Sequence, residues 1–155
     1  MRIIFLDIDG VLNDHNSLQK GVELLPEKVL LVDEICKKTG ANIIISSSWR
    51  EDAKNCTEAV TQFQWVLGRL GLVYGRVIGA TPCGNTWLRG NEIEAWLDKN
   101  KGLWDQYIIL DDNSDMLPEQ LPRLVLTHSA DGITRADVYK AIELFGVNDE
   151  AQDGG

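Results

Sequence analysis

The chain has 155 residues, of which 44% are hydrophobic, and its 15 basic and 24 acidic side chains give a net charge of −9 at pH 7. This length fits one domain, which can bury a core without disulfides or a structural metal. The three cysteines, Cys36, Cys56 and Cys83, are odd in number and form no CxxC pair, which excludes a disulfide framework or zinc finger and favours a reducing compartment.

The N-terminal segment and the charge balance predict a soluble cytoplasmic protein. The first apolar stretch reaches Asp7 too soon for a signal-peptide core, and no apolar run approaches the roughly 18 residues of a membrane span. Excess acidic charge disfavours a surface that follows a nucleic-acid backbone, because that affinity comes from clustered Lys and Arg. We therefore expect no membrane binding and no extended nucleic-acid binding. Binding of one terminal phosphate and the oligomeric state remain open.

Hydrophobic periodicity predicts strands and helices in alternation along the chain. Short apolar runs indicate buried strands at residues 3–8, 43–45, 77–78, 107–110 and 124–126. Apolar residues at helical spacing indicate helices that begin near Pro26, Thr57, Asn91 and Thr134. This alternation predicts an α/β fold with a doubly wound (Rossmann-like) parallel sheet, in one domain over residues 1–147, followed by a flexible polar tail over residues 148–155.

Polar side chains follow three of the predicted strands at the point where each strand ends. Asp7 and Asp9 follow the first strand, serines 46–48 follow the second, and Asp111 and Asp112 follow a later one. Sites in such sheets lie beyond the carboxyl ends of the strands, so these groups are expected at one edge. Taken alone, the first pair of acids is explained equally well as an ordinary turn, the serine run is more often a loop than a site, and the later pair fits a turn-rich loop. Their shared position is what indicates a functional site.

Carboxylates that converge at one edge predict a magnesium site. They raise each other's pKa unless a cation neutralises them, and oxygen ligands without a histidine cluster select a hard ion such as Mg2+. A site of this kind can carry out phosphoryl transfer, in which one Asp attacks to form an aspartyl-phosphate and a second Asp moves the proton. We therefore expect Mg2+ as the cofactor and a phosphorylated substrate.

The order of these motifs resembles that of the haloacid dehalogenase (HAD) superfamily of phosphotransferases over most of the chain. Residues 5–12, FLDIDGVL, look like the first motif of that superfamily. By that resemblance, Asp7 would be the nucleophile and a metal ligand. Asp9 would be the general acid and base and would give its backbone carbonyl to Mg2+. Val11 replaces the Thr that is common at its position, which removes a hydroxyl near the phosphate.

Two further segments are similar to the second and third motifs of that superfamily. Residues 43–46, IIIS, resemble the second, whose hydroxyl binds the transferring phosphoryl group. Ser46 is the first choice for this hydroxyl, by its distance from the apolar run, and Ser47 is the second. Arg89 stands where the third motif places a cation, although Lys is usual there, and a planar guanidinium is not equivalent to an ammonium.

The fourth motif and the flanking segments resemble one subgroup of the superfamily. Residues 108–112, IILDD, look like the fourth motif, in which Asp112 would bind the metal and Asp111 would be its outer-sphere partner. The segments SSSWR at 46–50 and RGNEIEAWL at 89–97 look like the phosphatase domains of polynucleotide kinase-phosphatase-type (Swiss Army Knife) RNA repair proteins. This resemblance implies activity on phosphates at nucleic-acid or nucleotide ends.

Segment lengths predict a site without a separate cap domain. Residues 10–45 and 47–88 already hold predicted helices and strands, and neither segment has room for a further domain of roughly 50 residues. By the resemblance, capless members tend to act on macromolecules. Trp49 and Arg50 are then candidate substrate-binding residues, because an aromatic ring can stack on a terminal base and an arginine can bind a neighbouring phosphate.

The implied function is a Mg2+-dependent phosphomonoester hydrolase, and two other functions compete with it. A receiver-like signalling domain also uses acids at strand ends, Mg2+, a hydroxyl and a cation. Its acceptor Asp should end a middle strand, where this chain has Ser46. A catalytically inactive phosphate-binding module on the same fold is the second alternative, because a fold does not establish turnover.

Overall fold

A computed structural model describes residues 1–47, 56–82 and 88–147. Within these ranges, five strands form a single sheet: β1 Arg2–Leu6, β2 Asn42–Ile45, β3 Val77–Ala80, β4 Gln106–Asp111 and β5 Leu124–Leu126. All paired strands are parallel, in the spatial order β3-β2-β1-β4-β5. The predicted doubly wound α/β fold is therefore confirmed. The predicted tail at 148–155 lies outside the described residues.

Helices cover both faces of this sheet. The described α-helices are α1 His15–Gln19, α2 Pro26–Thr39, α3 Cys56–Arg69, α4 Arg89–Lys99 and α5 Arg135–Leu144. A 3-10 helix spans Pro118–Arg123. In the part of the chain that the structure describes, no helix is both long and apolar enough to cross a membrane.

The central strand β1 is buried on both sides. Ile4 and Leu6 belong to one core with apolar residues of α2, α3 and α5, whereas Ile3 and Phe5 belong to a second core with residues of α4. Alternate side chains of a strand point to opposite faces, so each core receives every second residue. This two-sided burial is the physical reason for the nearly continuous apolar run at the start of the sequence.

Local signals place several helix ends where the sequence predicts them. Pro26 is the first residue of α2, and Gly40 ends that helix with a φ of 73° while its N–H donates to the Cys36 carbonyl. Thr134 caps α5 by accepting a hydrogen bond from the backbone N–H of Asp137. These interactions join residues only a few positions apart, so they can be predicted from the local sequence.

Other boundaries differ from the sequence prediction. β1 ends at Leu6 rather than at Ile8, because the Ile8 carbonyl accepts hydrogen bonds from the N–H groups of Val11 and Leu12 in a tight turn. α4 begins at Arg89, so Asn91 lies inside the helix and does not cap it. The short helix α1 and the 3-10 helix are absent from the prediction because each is too short to show a hydrophobic period.

Candidate active site

Three carboxylates meet at the carboxyl ends of β1 and β4. Leu6 and Leu110 are paired in register, and the N–H of Asp7 donates to the Leu110 carbonyl at 3.0 Å, so the pairing continues one residue past β1. This brings Asp7 beside the end of β4. One carboxylate oxygen from each of Asp7, Asp111 and Asp112 lies within 4.8 Å of the others. A cation can therefore contact all three side chains.

Two of these acids are almost fully buried, which makes their negative charges costly. Asp7 is 6% exposed and Asp111 is 1% exposed. Burial raises the pKa of Asp7, while the Arg89 guanidinium acts in the opposite direction. Burial and then the charge of Asp7 raise the pKa of Asp111. A metal ion removes this conflict because its charge favours the ionised form of both groups.

The donor set of this cluster fits Mg2+. It offers carboxylate oxygens, which this hard ion prefers, and it places them on adjacent strand ends. Asp111 Oδ2 is buried and makes no hydrogen bond with any described residue. A buried oxygen of this kind is costly unless a partner satisfies it, so its environment suits a bound cation. Asp7, Asp111 and Asp112 are the side chains that would hold the ion.

Gly10 allows the chain to pass directly beside Asp112. Its φ is 81°, and a Cβ atom built on it would lie 2.1 Å from Asp112 Oδ2. The Gly10 carbonyl also accepts a hydrogen bond of 2.7 Å from Thr127 Oγ1, which comes from the end of β5. The turn at residues 8–13, called the first-motif turn below, thus contacts the ends of β4 and β5. No larger residue fits at Gly10 without displacing Asp112.

Arg89, the first residue of α4, contacts both Asp111 and Ser46, which follows β2. The Ser46 N–H donates to the Leu6 carbonyl at 2.8 Å, which extends β2 beside β1. The Ser46 hydroxyl is buried and has no hydrogen-bond partner among the described residues. Arg89 donates from Nη1 to the Ser46 carbonyl, and its Nε lies 3.8 Å from Asp111 Oδ2. A hydroxyl and a cation therefore accompany the acids.

Arg89 is held by a segment that follows β4. Its own N–H donates to Asp115 Oδ2 at 3.3 Å, and the N–H of Gly90 donates to the Asp115 carbonyl at 3.1 Å. The buried Gln120 amide then donates to the Gly90 carbonyl at 2.9 Å. The preceding Leu88 has no polar side chain to cap α4, so Asp115 satisfies the first N–H groups of the helix instead.

Asp9 occupies a different position from Asp7. Its side chain is exposed and is not part of the group formed by Asp7, Asp111 and Asp112. Asp9 Oδ1 accepts a hydrogen bond of 3.0 Å from Asn13 Nδ2. The two aspartates of the first motif therefore diverge after the strand. The assignment of Asp9 as general acid and base, with its backbone carbonyl on Mg2+, stays a prediction.

The remaining predicted site residues fall into two groups. Ser47, the second choice for phosphate binding, is buried next to Ser46. Trp49 and Arg50, the candidate substrate-binding residues, lie outside the described residues. The family resemblance made Asp111 an outer-sphere partner of the metal, and this role stays a prediction. Its carboxylate lies in the same cluster as that of Asp112.

Sequence reasoning did not identify the residues that support this site. Asn13, Asp115, Gln120 and Thr127 each hydrogen-bond to a residue of the motifs or to its immediate neighbour. Most of these bonds join residues that are more than 25 positions apart, so no local pattern predicts them. Asn13 is the exception, since it lies only four residues after Asp9.

Comparison with protein families gives a match to the model described as the HAD domain in Swiss Army Knife RNA repair proteins, over residues 3–138. The matched range includes the three clustered acids, Ser46 and Arg89. No curated protein and no solved structure matches the chain.

Proposed function

The chain belongs to the family of HAD domains in Swiss Army Knife RNA repair proteins, and from this membership and the site we propose that it is a Mg2+-dependent phosphomonoester hydrolase. The observation that carries the proposal is the convergence of Asp7, Asp111 and Asp112 within 4.8 Å. Beside them lie a buried hydroxyl and a guanidinium, as phosphoryl transfer requires. When bound there, Mg2+ supplies positive charge that offsets negative charge on the phosphoryl oxygens.

In the first proposed step, a carboxylate oxygen of Asp7 attacks the phosphorus of the substrate. The bond from phosphorus to the ester oxygen breaks, and this oxygen takes a proton from the carboxyl group of Asp9. In the second step, Asp9 accepts a proton from water, whose oxygen attacks the aspartyl-phosphate. The bond from phosphorus to Asp7 then breaks, which releases inorganic phosphate and restores both aspartates.

Ser46 and Arg89 would hold the phosphoryl group during both steps. The Ser46 hydroxyl is buried and has no partner among the described residues, so it can donate to a phosphoryl oxygen without breaking a described hydrogen bond. Arg89 lies 3.8 Å from Asp111 and adds a positive charge in a site with little water access. Charge stabilisation is stronger there than in bulk water.

We further propose that the substrate is a terminal phosphate of a nucleic acid or nucleotide. The family description, which refers to RNA repair, supports this class. The net charge of −9 argues for a short contact at the strand end rather than binding along the backbone. Trp49 and Arg50 are the residues that we propose contact the terminal base and a neighbouring phosphate.

The strand order argues against a receiver-like signalling domain. Receivers share the flavodoxin-like order 2-1-3-4-5, whereas this sheet has the order β3-β2-β1-β4-β5 with Asp7 at the end of its first strand. A catalytically inactive phosphate-binding module remains as an outcome of the test below.

A phosphate-release assay with and without Mg2+ tests the proposal. The substrates are 5′- and 3′-phosphorylated oligonucleotides, mononucleotides, a sugar phosphate and a phosphopeptide. We expect Mg2+-dependent release with the highest kcat/KM on an oligonucleotide end, and Asp7→Asn should lower kcat/KM by at least about 10³-fold because an amide is not a nucleophile.

Asp98→Asn is the matched control, since Asp98 is an exposed residue of α4 that pairs with Lys101. It should retain wild-type turnover. Phosphate release from none of the substrates would contradict the hydrolase proposal and favour the inactive module. A stable phosphorylated protein without turnover would favour a receiver. A preference for the sugar phosphate or phosphopeptide would contradict only the nucleic-acid substrate class.

A further inference from the structure

Asn13 is a fully buried amide at the centre of the first-motif turn. Its Nδ2 donates to Asp9 Oδ1 at 3.0 Å and to the Glu23 carbonyl at 2.9 Å. Its Oδ1 accepts from the N–H of Gly10 at 2.8 Å. The side chain has no solvent exposure. One amide thus joins the Asp9 carboxylate, the backbone next to it and a separate loop.

The partners of Asn13 fix the orientation of its amide. The N–H of Gly10 can only donate, so it must face the amide oxygen. The Glu23 carbonyl can only accept, so it must face the NH2 group. With both ends determined, the second N–H of the amide is directed at Asp9. A reversed amide would lose these hydrogen bonds inside the protein, where an unsatisfied polar group is costly.

The turn that carries Asn13 is itself anchored on several sides. The N–H of Ile133 donates to the Val11 carbonyl at 2.8 Å, and the N–H of Leu25 donates to the Leu12 carbonyl at 2.9 Å. Together with the Thr127 bond to Gly10, these contacts leave Asn13 little freedom to move. Asp9, by contrast, is exposed, and the fixed Asn13 donor favours the Asp9 rotamer that keeps Oδ1 at hydrogen-bond distance.

We propose that Asn13 is the positioning residue that holds the Asp9 carboxyl group in the orientation needed for proton transfer. This inference rests on the proposed hydrolase function, in which Asp9 protonates the leaving oxygen. Asn13 does not touch the substrate. It acts through Asp9, because a general acid must reach the leaving oxygen with its proton at hydrogen-bond distance. Loss of the Asn13 bond removes the donor that orients Asp9 Oδ1.

Leaving-group dependence distinguishes this role from a structural one. The parameter kcat/KM covers the steps up to loss of the leaving group, and p-nitrophenol leaves without protonation more readily than phenol does. Asn13→Ala should therefore lower kcat/KM for phenyl phosphate by about 10- to 100-fold, because misplacing a general acid loses only part of the roughly 10²- to 10⁴-fold that it contributes. It should lower kcat/KM for p-nitrophenyl phosphate by less than about 3-fold. Partial unfolding would lower both values by the same factor.

Two further variants complete the test. Asn13→Leu keeps nearly the size of the side chain but has no group that can donate to Asp9, so it should shift the substrate ratio in the same direction. Gln120→Ala is the matched control, because Gln120 is also a fully buried amide and its hydrogen bonds go to Gly90 and Leu117. It should lower the melting temperature and leave the substrate ratio unchanged.

Equal losses on both substrates in folded Asn13 variants would overturn the inference, and so would an equal change of ratio in Gln120→Ala. A wild-type protein that hydrolyses neither ester nor any substrate of the phosphate-release assay would instead refute the proposed function. In that case a double-mutant cycle of melting temperatures with Asn13→Ala and Asp9→Ala tests the contact, because alanine at position 9 has no oxygen to accept the hydrogen bond. Non-additive shifts support the contact, whereas additive shifts overturn it.

Discussion

Replacing Gly10 with alanine tests whether the close approach of the first-motif turn to Asp112 sets the metal site. A Cβ atom at Gly10 would lie 2.1 Å from Asp112 Oδ2, 2.5 Å from its Cγ and 2.8 Å from its Cβ. Ordinary contacts begin at 3.4 Å. The Asp112 carboxylate must therefore move by about 1 Å, or the turn must move away from it and break the hydrogen bonds of Gly10.

This displacement leads to two expected magnitudes. The left-handed φ of 81° costs an alanine about 1–2 kcal/mol, which corresponds to a lower melting temperature by about 2–8 °C in a chain of this size. Mg2+ requires ligands at about 2.0–2.1 Å in octahedral geometry, so a shift of about 1 Å loses the Asp112 ligand. We expect Mg2+ affinity to fall by at least about 10-fold and kcat/KM by about 10²-fold.

Isothermal titration calorimetry measures the affinity for Mg2+, and the shift in melting temperature on adding Mg2+ gives an independent measure of binding. Gly40→Ala is the control, because Gly40 has a similar φ of 73° and a Cβ built on it meets no described atom within 4 Å. It carries the same backbone cost without the contact to Asp112. If Gly10→Ala binds Mg2+ and turns over substrate as Gly40→Ala does, Asp112 does not depend on this approach and the reasoning is wrong.

Two further predictions concern the charges of the site. Arg89→Ala should lower kcat/KM by about 10²-fold, and Arg89→Lys should recover part of this loss because Lys keeps the charge without the planar fork. Arg135→Ala is the control, since it removes only an exposed ion pair with Glu34. Full activity of Arg89→Ala would contradict the proposed role of Arg89 in holding the phosphoryl group. Burial raises the pKa of Asp7 and Asp111 above the roughly 3.9 of an unfolded Asp, so their stabilising contribution is full below that pH and is lost as the pH rises through the raised folded-state values. The melting temperature of the wild-type protein in EDTA should therefore fall between about pH 5 and 9. The fall should be smaller for Asp111→Asn in EDTA and for the wild type in saturating Mg2+. An equal dependence of melting temperature on pH in all three samples would refute this account.

The sequence alone determined the fold class and the edge on which the site lies. Two-sided burial of a parallel strand requires apolar residues at nearly every position, so the run at residues 3–6 identifies β1 directly. The strand ends then locate Asp7, Ser46 and Asp111 at one edge, because parallel strands share the direction of their carboxyl ends. These features depend on residue types and on their spacing over a few positions, and both can be read directly from the sequence.

Tertiary structure decided how these groups are held and which of them meet. Asp111 and Asp112 are neighbours in the sequence, and only the register of β4 against β1 places both with Asp7. α4 begins at Arg89 because Asp115, 26 residues later, supplies the cap that the local sequence lacks. Even the short-range bond from Asn13 to Asp9 requires the left-handed turn at Gly10. Such interactions depend on distances between atoms that the chain brings together only by folding, so residue types and spacing do not specify them.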